Sequence, residues 1–247
     1  MTMLRWALFA CLALLPAQGW GGTPVQHKSS NIGTVPRTAV MDSAVTAGNA
    51  LIVVVGGMSF DAPALGCVYT VTDNNGNTYI ALPLYNTGQL CLRVYYVASP
   101  TLTTNPPTIT CNDTDGSSTT ICDVIEVPGL QATPGDGNAG ATVTSTTTPT
   151  TNSVNTTGTD FLIGAFMDVT SVNDTISAGS GWTTLTTDNT LRPFITQYKS
   201  GQVSGSYTST ATLSAATNTW VGTLAAFKEA SAGASPAPGL MMMGVGP

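Results

Sequence analysis

Short β-rich runs separated by turn residues recur from about Pro24 to Glu229, and no stretch of helical period interrupts them. Ala50-Leu-Ile-Val-Val-Val55 is apolar without a break, as expected of a strand covered on both faces, and Asp160-Phe-Leu-Ile-Gly-Ala-Phe-Met167 reads the same way. Leu90-Cys-Leu-Arg-Val-Tyr-Tyr-Val97 alternates instead, which places Leu92, Val94 and Tyr96 in the core and Arg93 and Tyr95 outside. Asn75-Gly76 is a strong hairpin signal, Tyr207 to Leu213 alternates with Thr208, Thr210 and Thr212 on one face, and Trp220 to Phe227 reads as the closing strand. About a dozen such runs predict an all-β fold built as a single antiparallel β-sandwich, jelly-roll or immunoglobulin-like. Pro134-Gly-Asp-Gly-Asn-Ala-Gly140, followed by the Thr-rich stretch to Thr151, reads as a long crossover between the two sheets.

Charge then narrows the function classes. Only 8% of the 247 residues are charged, against about 25% in an ordinary soluble domain. Seven bases against 13 acids give a net charge of -6, too few cations to neutralise nucleic-acid phosphates. Helical bundles and coiled coils need Glu and Lys at helical spacing, which this chain lacks. Disorder is excluded by an apolar content of 42% with modest net charge.

The first residues read as an export signal. Arg5 is followed by the apolar run Trp6 to Leu15 and by the small residues Ala17 and Gly19, the order of a secretory leader cleaved after residue 19. The run is shorter than the roughly 20 residues a membrane helix needs, so no membrane span is expected after removal of the leader. Leu8-Phe-Ala-Cys11 also has the look of a lipoprotein box, at the cost of a very short apolar core. The expected organisation is a leader over 1–19, a β-sandwich over 20–229, and a flexible Ala/Pro/Gly linker with an apolar Met-rich tail over 230–247. Leu240 to Pro247 is either a frayed end or a strand that docks into a neighbouring copy. Four cysteines remain beyond the leader, and an even number in an oxidising compartment implies two disulfides with three connectivities. Cys111 and Cys122 flank a polar turn and are expected to face each other on antiparallel strands, leaving Cys67 with Cys91.

Several segments together resemble secreted bacterial β-sandwich domains, lectin-like or immunoglobulin-like in outline and mostly without assigned function. They are Thr46-Ala-Gly-Asn-Ala-Leu-Ile-Val-Val-Val55, Val71-Thr-Asp-Asn-Asn-Gly-Asn-Thr-Tyr79, Arg93-Val-Tyr-Tyr-Val97, Val124-Ile-Glu-Val-Pro-Gly-Leu130, Ser180-Gly-Trp182 and Trp220 to Phe227. They span most of the chain from about Thr38 to Lys228, and their order carries the likeness. The resemblance implies an extracellular or cell-surface module and brings no catalytic residues with it.

Individual residues support little chemistry. His27 is the one histidine and sits near the expected mature start, and no G-x-S-x-G elbow surrounds a serine, so a nucleophilic triad is not expected. Asp123, Glu126 and Asp168 are the carboxylates best placed on strands for glycoside hydrolysis. Glu126 lies in the otherwise apolar Val124-Ile-Glu-Val127. Asp73-Asn-Asn-Gly-Asn77 departs from a calcium loop. Asp113 and Asp115 sit on a turn as surface calcium ligands do, although turn chemistry alone accounts for them. Tyr85-Asn86, Tyr95 beside Arg93, and Tyr198 fit a carbohydrate-binding pattern of rings beside amides and cations, whereas Trp182 and Trp220 are expected in the core. The Thr-rich faces show no fixed period, so an ordered hydroxyl ladder is not expected, and the sequons at Asn112, Asn155 and Asn173 follow from Thr abundance. The expected function is therefore that of a secreted, non-catalytic protein, structural or adhesive at a cell surface, in a matrix or in a filament. The alternative is a lectin-like module. Its expected partners are glycans, other surface proteins, or further copies of itself held through the tail.

Overall fold

A computed structural model describes residues 22–59, 67–114, 118–142, 146–169, 174–215 and 219–231. In chain order the first strands are β1 (Gln26–Ser29), β2 (Gly33–Thr34), β3 (Arg37–Val40), β4 (Ala50–Ser59) and β5 (Tyr69–Asp73). They are followed by β6 (Ile80–Ala81), β7 (Tyr85–Asn86), β8 (Leu90–Val97), β9 (Thr108–Asp113) and β10 (Ser118–Val127). Next come β11 (Leu130–Thr142), β12 (Val154–Thr156), β13 (Asp160–Asp168), β14 (Ile176–Ala178) and β15 (Thr183–Asp188). The last are β16 (Phe194–Gln202), β17 (Gly205–Tyr207), β18 (Ala211–Leu213) and β19 (Trp220–Glu229). The chain is all-β, with antiparallel strands organised into several sheets. β1-β10-β4-β8-β6 form the largest, with β2 also on β10 and β7 on β8, and β3-β9-β5 form a second. β11-β19-β13-β16-β15 form a third, and β12-β17 and β14-β18 are two-stranded pairs. That is more strands, in more sheets, than the dozen-stranded single sandwich expected from sequence.

Side-chain alternation explains the layering. Ile52 and Val54 of β4, Leu92 and Val94 of β8, and Ile121 and Ile125 of β10 meet Phe161, Ile163, Phe194, Val221 and Phe227 in one core between the two large sheets. The intervening Leu51, Val53, Val55 and Val124 meet Ala39, Tyr69 and Ile109 of the three-stranded sheet. On the far side, Phe166, Ile195 and Trp220 pack on Ile176, Ala211 and Leu213, while Leu162, Leu224 and Ala226 pack on Val154 and Trp182. Both large sheets are thus covered on both faces, which is why β4 and β13 can be apolar without alternation. The same covering corrects the reading of β8. Tyr95 is only 4% exposed, and its hydroxyl donates to the Tyr69 carbonyl at 2.7 Å.

The disulfides form between Cys67 and Cys91 and between Cys111 and Cys122. Cys111 and Cys122 are not ladder partners, as the sequence suggested. Cys111 lies opposite Arg37 and Val71, whereas Cys122 lies opposite Val55, so the bridge crosses from one layer to the next. Cys91, on β8, joins Cys67 just before β5 in the same interlayer sense. The turn at Asn75-Gly76 is also not a hairpin: β5 belongs to the three-stranded sheet and β6 to the seven-stranded one, so the turn passes between layers. Pro134 to Gly140 runs as part of β11 rather than as a crossover, with register shifts against β19 between Leu130 and Gly135 and between Gly135 and Gly137. The bulges absorb Pro and Gly without ending the ladder.

One plan is used twice. β4 lies between β10 and β8, with Leu51 opposite Glu126 and Val97, and β13 lies between β19 and β16, with Leu162 opposite Ala226 and Lys199. β1 flanks β10 as β11 flanks β19. In the outer layers β9 lies between β3 and β5, while β17 and β18 divide the same task between β12 and β14. Setting Leu51 on Leu162 brings Ile52 and Val54 onto Ile163 and Ala165, Tyr96 onto Tyr198, and Ile125 and Val127 onto Ala225 and Phe227. All of these belong to the shared core between the large sheets.

Candidate functional site

β16 changes character along its length. Phe194, Ile195, Thr196 and Gln197 are buried, and the strand then emerges at Tyr198, Lys199, Ser200 and Gln202. The adjoining chain makes a tight turn in which the Trp182 amide donates to the Gly179 carbonyl at 3.1 Å. Gly181 there has φ 73°, a conformation that glycine adopts without steric cost. Between turn and strand lies a polar cleft of about 300 Å³ lined by Gly181, Thr183, Tyr198, Lys199, Ser200 and Gln202. Lys199 Nζ sits 4.9 Å from the centroid of the Trp182 ring, a cation–π contact that holds the ammonium in place. Tyr198 is stacked on Phe161, with ring centroids 5.7 Å apart, and so turns its ring toward the core between the large sheets. At its far end Glu229, itself buried, accepts the Gly201 amide at 3.0 Å and the Gly22 amide at 2.9 Å, fixing the turn after Ser200.

A group of charges lies beside this end. Lys228 Nζ is 3.0 Å from Asp136 Oδ1, and the Thr157 amide donates to Asp136 Oδ2 at 2.6 Å. Burial would raise the Asp136 carboxyl, but the donors from Thr157 and Lys228 hold it below the usual range. Asp160, opposite Gln202 and Lys228 across its two ladders, is fully buried. Burial and the negative charge of Asp136 push it up to about 6. Asp123 is likewise fully buried between the large sheets, where it accepts from the Thr196 hydroxyl. Burial raises it to about 7 against the hydrogen bonds of Thr196 and Thr186.

The residues singled out in the sequence are scattered. Tyr85 is half-buried with its hydroxyl donating to Asn138 Oδ1 at 2.7 Å, and Asn86 beside it is exposed. Arg93 Nε donates to the Leu82 carbonyl at 2.7 Å and its guanidinium lies 5.3 Å from the Tyr95 ring centroid. With Tyr95 buried, these four residues do not share an open face. Glu126 is fully buried and accepts from Gln26 Nε2 at 2.7 Å, Asn49 Nδ2 at 2.6 Å and the Thr46 amide at 2.8 Å, so it ties the turn before β4 to β10. Asp73 spends its oxygens on the Asn75 and Asn77 amides, the Asn77 side chain and the Tyr79 hydroxyl. Although burial opposes it, those donors keep its carboxyl below the ordinary value. Asp113 is 2% exposed and accepts the Val68 amide at 3.1 Å, while Asp115 lies outside the described residues, as do the leader and Leu240 to Pro247. His27 is exposed on β1.

Among the described residues no three His, Cys, Asp or Glu side chains are grouped so as to hold a metal ion, and no helix is long and apolar enough to cross a membrane. Of the residues sequence reasoning set aside for sugar binding, only Tyr198 lines the cleft. Lys199 and Gln202 were missed. The available signal was the switch of β16 from apolar to polar residues beside a Gly-Trp turn. Comparison of the chain with protein-family models, with curated proteins and with solved structures finds no match.

Proposed function

We propose that this chain is a secreted, non-catalytic β-sandwich protein with an adhesive or structural role at a cell surface, in a matrix or in a filament. The observation that carries this reading is the pair of disulfides, both of which fasten the three-stranded layer to the seven-stranded one. Disulfides persist in oxidising compartments, and an interlayer fastening suits a part that must withstand wear outside the cell. A surface of hydroxyls with 8% charge and the leader-like residues 1–19 support the same compartment. The stacked antiparallel layers support reading the chain as a sandwich of jelly-roll or immunoglobulin-like outline, the outline of the secreted bacterial domains that the sequence resembles. Leu240 to Pro247 is the segment we assign to self-association. The test is made on cells that produce the chain natively. Fractionation with thiol alkylation should find it outside the cytosol with all four cysteines protected, and cells lacking it should attach less well or assemble a weaker envelope. A cytosolic product with alkylated thiols overturns the reading. Deleting 240–247 should abolish larger oligomers on a sizing column, and unchanged elution would remove the tail from the account.

A further inference from the structure

The threonines of this chain follow no period in sequence, yet the three-stranded sheet sets several of them in rows. Its inward residues Ala39, Tyr69, Ile109 and Cys111 pack on the seven-stranded sheet. Alternation therefore turns Thr38 of β3, Thr70 and Thr72 of β5, and Thr108 and Thr110 of β9 outward. Register then aligns them. Thr110 lies opposite Thr38 on one side and Thr72 on the other, making a row across all three strands. Val40 opposite Thr108 flanks that row at one end of the sheet, and Thr70 opposite Asn112 flanks it at the other. Strands lie about 4.8 Å apart, and successive outward residues about 6.8 Å apart along each strand. Methyl and hydroxyl groups thus recur in two directions. Among the described residues these five hydroxyls bond to no protein group. The face is also uncharged. Arg37, Asp73 and Asp113, the charged residues of these strands, occupy the inward positions. Arg37 donates to the carbonyls of Ser30 and Asn31, Asp73 accepts from the Asn75 amide and the Tyr79 hydroxyl, and Asp113 accepts the Val68 amide.

We propose that this face adsorbs to ice, with the row of Thr38, Thr110 and Thr72 laid along a line of lattice oxygens. The proposal goes beyond the adhesive reading and needs only the folded chain. Three features select an ordered water lattice as the occupant. The strand spacing is close to the oxygen repeat on the faces of hexagonal ice, so successive hydroxyls meet successive lattice positions. Ice excludes ions, and a charged side chain would lose its hydration on entering the contact; this face brings none. Threonine supplies a hydroxyl that both donates and accepts, beside a methyl that fits among water molecules without competing for their hydrogen bonds. Other occupants fit less well. A crystalline polysaccharide presents apolar ring faces that aromatic side chains cover, and Tyr69, the aromatic residue of these strands, is turned into the core. Three strands by three rows cover about 300 Å², well under the roughly 800 Å² per partner of a stable protein interface. Val40 is the one large apolar side chain that the three strands expose, so an apolar anchor for a protein partner is also lacking.

Nanolitre osmometry on the purified full chain, with its disulfides intact, tests the proposal by growing a single ice crystal in the protein solution. Adsorption should give the crystal facets and hold its growth temperature below its melting temperature, by a gap that widens with protein concentration. Thr110→Lys sets a charge at the centre of the row. It should abolish both effects while leaving the thermal midpoint within about 2 °C, as for other surface substitutions. Thr38→Lys, at the exposed end of the same row, should do likewise and stands in should the central strand not tolerate lysine. Thr212→Lys, on the exposed side of β18, should leave faceting and gap unchanged. Round crystals with no gap overturn the proposal. So does faceting that survives in a folded Thr110→Lys or Thr38→Lys, or that is lost in Thr212→Lys. Co-sedimentation with crystalline cellulose tests the competing occupant: a chain that pellets with cellulose and leaves ice unshaped binds a polysaccharide, contrary to the proposal.

Discussion

Asp123 and Asp160 are acids in positions where ionisation is disfavoured, one walled in between the large sheets and the other set beside Asp136. Both sit above the ordinary aspartate value of 3.8, at about 7 and about 6. Such groups bind protons more tightly in the folded chain than in the unfolded one. Their contribution is complete below the unfolded value and is lost as pH rises through about 6 and then about 7. Asp73 and Asp136 are shifted the opposite way and favour the fold above the unfolded value, losing that contribution as pH falls. The thermal midpoint should therefore peak in mildly acidic buffer and decline toward pH 8. Asp123→Asn should flatten that decline and raise the midpoint at pH 8. A scan in which wild type and variant fall in parallel from pH 5 to 8 would show that Asp123 is not the group responsible. None of this was legible in the sequence, where Asp123 stands as one carboxylate among several. In the fold it is met by Thr196, which comes from a strand far along the chain. Tyr95 was misplaced for a related reason: alternation predicts which face a side chain takes, and only a further layer decides whether that face is wet.

At the level of single elements, the apolar runs were the most readable. Ala50 to Val55 and Phe161 to Met167 were legible as strands covered on both sides, because no polar residue in them could face water. β11 was not legible, since Pro134, Gly135, Asp136 and Gly137 are turn formers and their pairing with β19 comes from a strand near the far end of the described chain. That strand also yields a test of how the halves meet. A methyl group at Gly140 would run into the ring of Tyr85, whose hydroxyl already reaches Asn138. Gly140→Ala should destabilise the protein by about 1–3 kcal/mol through overpacking, measured by denaturant unfolding. Tyr85→Ala introduced alongside it should restore part of the loss. The cysteine pairing was expected from the count and the flanking turn, but its role across layers was not, because spacing cannot separate a ladder bridge from an interlayer one. Replacing Cys111 and Cys122 together with Ser should cost about 2–4 kcal/mol in the same unfolding experiment. An unchanged midpoint would mean that packing alone holds the three-stranded layer.

For the molecule as a whole, the twice-used plan escaped sequence reading because equivalent positions share direction and burial without sharing identity. Val53 corresponds to Gly164, Cys122 to Gly222 and Glu126 to Ala226, so no period appears in the letters. Gly164 shows the substitution logic, since a side chain there would collide with Ser209 of the outer chain, whereas Val53 fills its own site among Leu51, Val55 and Ile109. The two copies have also parted in their covalent links: both disulfides fall within the first. A load applied along the chain would therefore meet two unlike springs. The stretch from 130 to 229 can pay out to its full contour length, while the loops closed at Cys67–Cys91 and Cys111–Cys122 cap the extension of the first half, so an overstretched molecule would yield at one end and keep a shortened, tethered remnant at the other.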